Sequence, residues 1–228
     1  DMGQIRNSIS LALVFWGYSD LFSNHERKFV VKVFIACIFH NSAIVILPIY
    51  WIVKSINRIS PWIIYSSIVL IIPLLFVDIR DLFMLLTFLP QVLIYKIIFY
   101  TESEVYGQSV GLGMSFILRI LVLIGLFAFK KKGHECYNYY DLLLNLYLAG
   151  IIIYILFSSV EQFAVRFTNY FKMLEYIILP IFIILSKNKV LKFVLFFLVS
   201  AYAGWSLYKL LTEPELAEQL LPYKSILS

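Results

Sequence analysis

Four groups of polar side chains stand inside or against long apolar runs: Arg6 with Asn7 and Ser10, the triplet His40-Asn41-Ser42, Arg119, and Glu161-Gln162 followed by Arg166, Asn169 and Tyr170. An ionisable group held at membrane depth costs roughly 2.5–3.5 kcal/mol on insertion scales, so each is a candidate site. The last group carries the most chemistry. If 160–172 is helical, Gln162, Arg166, Asn169 and Tyr170 share one face, because spacings of three and four residues stack. A planar cation, two amides and a phenol on one face suit phosphate oxygens and sugar hydroxyls. A solvated loop is the plain alternative for this stretch. His40 sits in a polar knot within the apolar run 35–49, where an imidazole serves a helix-packing hydrogen bond or a wet cavity wall equally well. Arg119 lies midway along 110–129, too deep to reach either surface, and is expected to face an interior partner. Arg6, with Ser10 one turn on along the same face, is either an anchor whose stem snorkels to the interface or a functional cation.

These groups need a scaffold, and the composition says what kind. Of the 228 residues 61% are hydrophobic and the mean hydropathy is +0.87, against roughly 45–50% apolar residues in ordinary soluble domains. Leaving such Ile, Leu and Phe runs in water would cost roughly 25 cal/mol per Å². A bilayer is the environment that accommodates them. Charged residues make up 14% of the chain and gather in clusters between apolar runs, so the net charge of +5 reads as topology and not as nucleic-acid binding. No polar stretch is long enough for a soluble domain of about fifty residues. Cys37 lies in an apolar run and Cys136 in the 130–140 loop, so no disulfide framework follows. The chain opens Asp1-Met2-Gly3 without a cleavable leader pattern, and its natural start is expected upstream.

Membrane helices need about twenty apolar residues. Clear candidates are 5–22, 29–53, 110–129, 139–158 and 190–211, with shorter ones at 62–77 and 173–186. An eighth, 82–100, carries Pro90, Gln91 and Lys96 and spans or re-enters. The expected fold is all-α, a polytopic membrane protein of about eight spans. Lysines and arginines collect on the cytoplasmic side. Whether or not 82–100 spans, Lys130, Lys131 and Lys132 fall inside, while 101–108, 160–172 and the tail after Leu211 fall outside. If it spans, Arg27, Lys28 and Lys32 are also inside and Arg6 faces outward. Most aromatic residues near span ends, Tyr50, Trp51, Trp62, Tyr100, Tyr137 to Tyr140, Tyr202 and Trp205 among them, are expected in interfacial belts. Gly-rich phosphate loops, His pairs at zinc-ligand spacing and Asp-x-Asp pairs are absent from the sequence, so no cofactor and no metal is expected.

Four stretches in order then acquire a common meaning: Ile5-Arg6-Asn7-Ser8-Ile9-Ser10-Leu11-Ala12, Phe39-His40-Asn41-Ser42-Ala43, Val165-Arg166-Phe167-Thr168-Asn169-Tyr170-Phe171 and Leu221-Pro222-Tyr223-Lys224. They resemble the Arg-led helix start, the Phe-His-x-Ser-Ala helix, the Arg-x-x-x-Tyr-Phe segment and the Pro-Tyr-Lys tail of the EpsG family of bacterial polysaccharide polymerases, which includes many Wzy-type O-antigen, capsule and exopolysaccharide polymerases. Asn7 stands where the family commonly has Gln.

The resemblance implies a GT-C-like helical membrane architecture in the bacterial cytoplasmic (inner) membrane. It also implies that this chain, 1–228, corresponds to the C-terminal part of a longer polymerase with further spans before Arg6. The implied activity is metal-independent glycosyl transfer joining undecaprenyl-pyrophosphate-linked oligosaccharide units at the outer face of the cytoplasmic membrane, with no cofactor. The implied partners are the bilayer, that lipid-linked oligosaccharide, and a flippase and chain-length regulator of the same pathway. On this reading Arg166, Arg6 and His40 are the catalytic candidates, and Gln162, Asn169, Tyr170, Arg119 and Glu161 bind substrate. A transporter or flippase with Arg119 and His40 on its path is the rival class. A non-catalytic partner in an export complex is a third.

Overall fold

In a computed structural model, residues 2–55 and 113–212 are described, and all regular structure among them is helical. The candidate spans 62–77 and 82–100, the external loop 101–108, the Pro-Tyr-Lys tail and the belt residues Trp62 and Tyr100 lie outside the described residues. The chain forms two compact units, Asp1–Ile178 and Leu179–Ser228.

Helix α1 (Met2–Phe22) and α2 (Glu26–Phe39) form an antiparallel hairpin. Their connection passes through Asn24, whose φ of 61° is the left-handed region that Asn tolerates better than most residues. Ser10, Val14, Gly17, Tyr18 and Leu21 recur at helical spacing along the buried stripe of α1, and Phe29, Val33 and Ala36 form that of α2. A Cβ at Gly17 would lie 3.1 Å from the Phe29 ring, so this glycine sets the distance between the helices. Lys32 pairs with Asp20 and rests over the Trp16 ring at 3.5 Å, clasping the hairpin from its flank.

The expected long span 29–53 is interrupted. After α2, His40 is extended (φ −149°, ψ 113°), Asn41–Val45 is a 3-10 turn, and α3 (Ile46–Ser55) restarts the helix. Pro48 accounts for the far end of the break, because it has no N–H to give the Ile44 carbonyl and its ring would clash there, yet it is tolerated in the first turn of α3. The polar knot is therefore a helix break and not a point on a continuous span.

The next helices are α4 (Met114–Ala128), α5 (Lys130–Cys136), α6 (Tyr140–Leu156), α7 (Glu161–Lys172), α8 (Glu175–Leu185) and α9 (Lys189–Thr212). The triple-lysine stretch expected as a loop is helical. Two assignments to interfacial belts are corrected by packing. Tyr50 and Tyr140 are buried, the first against the Phe29 ring at 5.2 Å, the second donating its hydroxyl to the Leu126 carbonyl at 2.8 Å. Trp51 and Trp205 are exposed.

Among the described residues no single helix is both long and apolar enough to cross a membrane; α7 and α8 pass that test together, bent by 41°. At about 1.5 Å per residue α4 and α6 are shorter than a hydrocarbon core of roughly 30 Å. Large apolar side chains nevertheless stand outward on the first unit, including Val31, Phe34, Ile38, Ile52, Leu121 and Ile124. Exposed large apolar side chains of this kind suit a lipid environment.

Helix α6 is buried nearly all round and is the post against which α3, α4 and α7 pack. Its contact with α7 depends on Gly150, where a Cβ would overlap the Phe171 side chain. Gly150→Ala gains about 1 kcal/mol of helix propensity but forces an overlap of the kind that costs typically about 1–3 kcal/mol. A lowered thermal midpoint in detergent is the expected result; a raised one would show that the α6–α7 contact yields freely.

The end of α3 returns to the start of α2, where Lys54 Nζ lies 2.6 Å from Glu26 Oε1 and Oε2. Hydrogen bonding by Lys54 holds the Glu26 pKa below its ordinary value. With a depressed folded-state pKa, this contribution is present above the ordinary carboxylate range and fades as pH falls through the folded-state value. Both side chains are about half exposed, so the effect is small. The difference in thermal midpoint between wild type and Glu26→Gln is expected to shrink as pH falls below about 4, and a difference independent of pH would contradict the pairing.

Candidate functional site

The sequence places a helix over the fourth polar group, and α7 is that helix. It leaves the extended Val160 and puts Gln162, Arg166, Asn169 and Tyr170 on one face. Phe163 and Phe167 stack along its flank at 5.7 Å, and Phe157 meets the Phe167 ring edge-on at 5.2 Å. The polar face turns toward α1 and the 3-10 turn.

Tyr170 fastens that face. Its side chain is fully buried, and its hydroxyl lies 3.1 Å from Ser10 Oγ on α1 and 3.0 Å from Ser42 Oγ on the 3-10 turn. One hydroxyl therefore joins three separate elements. The Tyr18 hydroxyl donates to the Tyr170 carbonyl oxygen at 3.2 Å, serving an acceptor in the last turn of α7, where helical carbonyls lack intrahelical partners. Two residues before Ser42 stands His40, half-buried, with the Arg166 guanidinium as its charged neighbour. Arg166 is itself half-buried. The break after α2 thus carries Ser42, which holds Tyr170, and His40, which lies within the electrostatic reach of Arg166.

The other sequence candidates divide. Gln162 and Asn169 are half-buried beside Arg166 on α7, and their side chains make no hydrogen bond among the described residues. Arg6 is exposed, one turn along α1 from Ser10, and contacts no member of the cluster among the described residues. Arg119 and Glu161 belong to a different neighbourhood. Arg119 is 6% exposed, its guanidinium lies 4.6 Å from the Tyr154 ring centroid, and Glu161 also acts on Tyr154. The expectation of a buried Arg119 facing the interior holds, but its surroundings include groups that sequence reasoning missed. Tyr147 donates its hydroxyl to Glu175 Oε1 at 2.9 Å and lies 3.4 Å from the Arg119 carbonyl oxygen, and Lys172 shares the field of Glu175 and Arg119. The buried Glu175, inside the apolar run 173–186, was the available clue.

A cavity of about 660 Å³ lies elsewhere, among Phe127, Lys130, Lys131, His134, Asp141 and Asn145. Asp141 bridges its walls, 3.9 Å from Lys130 Nζ and 3.2 Å from His134 Nδ1. It shares no residue with the His40 and Arg166 cluster.

The order Arg6, His40, Ser42, Arg166, Tyr170 along the chain, brought together except for Arg6, can be compared with family patterns. The family model of the EpsG family matches residues 1–225. The chain belongs to the EpsG family. No curated protein and no solved structure matches it. Membership makes this a membrane protein of polysaccharide biosynthesis, in a family associated with glycosyltransferase-like polymerase activity on lipid-linked oligosaccharide. In this EpsG-family protein the family stretches containing His40 and Arg166 meet at one place, although 126 positions separate them (166 − 40).

Proposed function

We propose that this protein is the polymerase that joins undecaprenyl-pyrophosphate-linked oligosaccharide units at the outer face of the bacterial cytoplasmic membrane, as a multi-pass protein with α7 on the external side. The observation that carries the reading is the junction built on Tyr170, which joins the helix of a half-buried arginine to the helix break that holds a histidine within its electrostatic reach.

In the reaction, a hydroxyl oxygen of the acceptor unit attacks the anomeric carbon of the donor glycan. The bond from that carbon to the phosphate oxygen breaks, and undecaprenyl pyrophosphate leaves with the electron pair. The hydroxyl proton passes to a base. Negative charge grows on the departing pyrophosphate, so a fixed guanidinium in a site with little water stabilises the transition state more than the ground state. Arg166 has the planar fork for two phosphate oxygens. His40, within the reach of its charge, is the group to take the hydroxyl proton or orient the acceptor. Gln162 and Asn169 have amides to give sugar hydroxyls on the same face. Tyr170, spent on Ser10 and Ser42, acts as a positioning residue. Arg6, exposed on α1 one turn from Ser10, is assigned a place at the approach to the site, where it would meet pyrophosphate on entry.

Cells lacking the protein test this. They are expected to carry single repeat units, on the lipid carrier or the final acceptor, and no polymer. Loss of every external repeat unit, single ones included, would instead place the protein at the flipping step.

A further inference from the structure

Arg119 is more than nine-tenths buried, and its Nε and Nη1 have no hydrogen-bond partner among the described residues. Buried guanidinium donors are seldom left unmet, because the desolvation of a charged group is then uncompensated. The obvious counter-ion does not close onto it. Glu175 is 7% exposed and accepts from the Tyr147 hydroxyl, and no ion pair within 4.0 Å joins it to Arg119 or Lys172 among the described residues. The guanidinium lies over the Tyr154 ring instead. Arg119 and Lys172 therefore share their surroundings with the carboxylates Glu175 and Glu161, and among the described residues nothing accepts from Arg119 Nε and Nη1.

This place lies on α7 as well. Glu161 and Lys172 are three turns apart and share a stripe roughly a third of a turn round from Gln162, Arg166 and Tyr170. Lys172 acts on Glu175 and Arg119, and Glu161 acts on Tyr154. One short helix thus carries Arg166, whose field reaches His40, on one stripe and Lys172, which feels Arg119, on another.

Resting on the polymerase reading, we infer that Arg119 and Lys172 form a second anion site, which holds the pyrophosphate of the acceptor while Arg166 holds that of the donor. Joining two lipid-linked units requires both substrates to be present at once, and each brings its own pyrophosphate. A single cationic site cannot retain the acceptor while stabilising a leaving group. Arg119 offers its fork, Lys172 a mobile point charge, and the Tyr154 ring keeps the guanidinium plane oriented. Glu175, held by Tyr147, balances charge nearby while Arg119 Nε and Nη1 stay unmet among the described residues.

The test uses the full-length protein in lipid nanodiscs, titrated separately with farnesyl pyrophosphate and inorganic pyrophosphate. Wild type is expected to bind two equivalents of the lipid probe. Arg119→Gln is expected to bind one, Arg166→Ala one, and the double variant none. Two equivalents retained by Arg119→Gln overturn the inference. Two retained by Arg166→Ala, with one in Arg119→Gln, remove Arg166 from the donor role and leave the second site standing. Binding of inorganic pyrophosphate alone at the Arg119 site overturns its assignment to a lipid-linked unit. Melting separates folding from binding. Arg119→Gln is expected to leave the thermal midpoint unchanged or raise it, because it removes an unmet buried charge. A lowered midpoint restored by adding Glu175→Gln identifies a structural counter-ion and overturns the inference.

Discussion

Cells carrying Arg166→Ala are expected to make no long-chain polymer, while single repeat units persist and the protein remains at wild-type abundance. The guanidinium is proposed to act where charge develops on the departing pyrophosphate. Removing one such preorganised donor typically costs about 10²–10³ in turnover. The helix itself should survive the change, because α7 is fastened through Tyr170, Ala164 and Phe171, all buried, while Arg166 is only half-buried. Arg166→Lys keeps the charge and loses the planar fork, so it is expected to shorten chains substantially without abolishing them. Gel analysis of surface glycan length reads all three proteins. Wild-type lengths in Arg166→Ala would remove this residue from the transition state.

Tyr170→Phe is the second large change. It deletes one oxygen and leaves Ser10 Oγ, on a fully buried residue, and Ser42 Oγ without that partner. A buried polar group left unsatisfied costs roughly 1–3 kcal/mol. The expected result is a lower thermal midpoint together with shorter chains, since α7 loses its link to both α1 and the His40 break. Ser10→Ala combined with Tyr170→Phe is expected to recover part of the stability, because one orphaned oxygen is then removed. No recovery of glycan length is expected, because the link is still missing. A variant that melts like wild type would show that the three hydroxyls do not form the junction.

The division between what the sequence discloses and what it hides follows from the range of each interaction. The one-faced set Gln162, Arg166, Asn169 and Tyr170 was legible because it is local: spacing alone puts it on a helix. The meeting of the His40 and Arg166 stretches has no local signature: the family resemblance implies a role for each residue, and only the Ser42–Tyr170 contact shows the stretches together. The irregular turn before α3 was legible in principle, since Pro48 cannot donate to the Ile44 carbonyl, but the apolar residues on either side read as one span, and nothing local announces the extended His40. Tyr50 and Tyr140 mislead for the opposite reason: a tyrosine near a span end reads as an interfacial residue, and only tertiary contact shows its hydroxyl or ring turned inward. Arg119 was correctly expected to be buried on cost grounds. Its neighbours Tyr147, Tyr154, Lys172 and Glu175 come from other helices, and no pattern within one helix announces such a meeting.

The most direct measurement reconstitutes the full-length protein in liposomes containing the lipid-linked repeat unit and follows both glycan length and free undecaprenyl pyrophosphate. A ladder rising by whole repeat units is predicted, with one undecaprenyl pyrophosphate released for every linkage formed, and Arg166→Ala liposomes should yield neither. Repeat units that cross the bilayer yet remain single, with no undecaprenyl pyrophosphate released, would contradict polymerisation and assign the protein to transport.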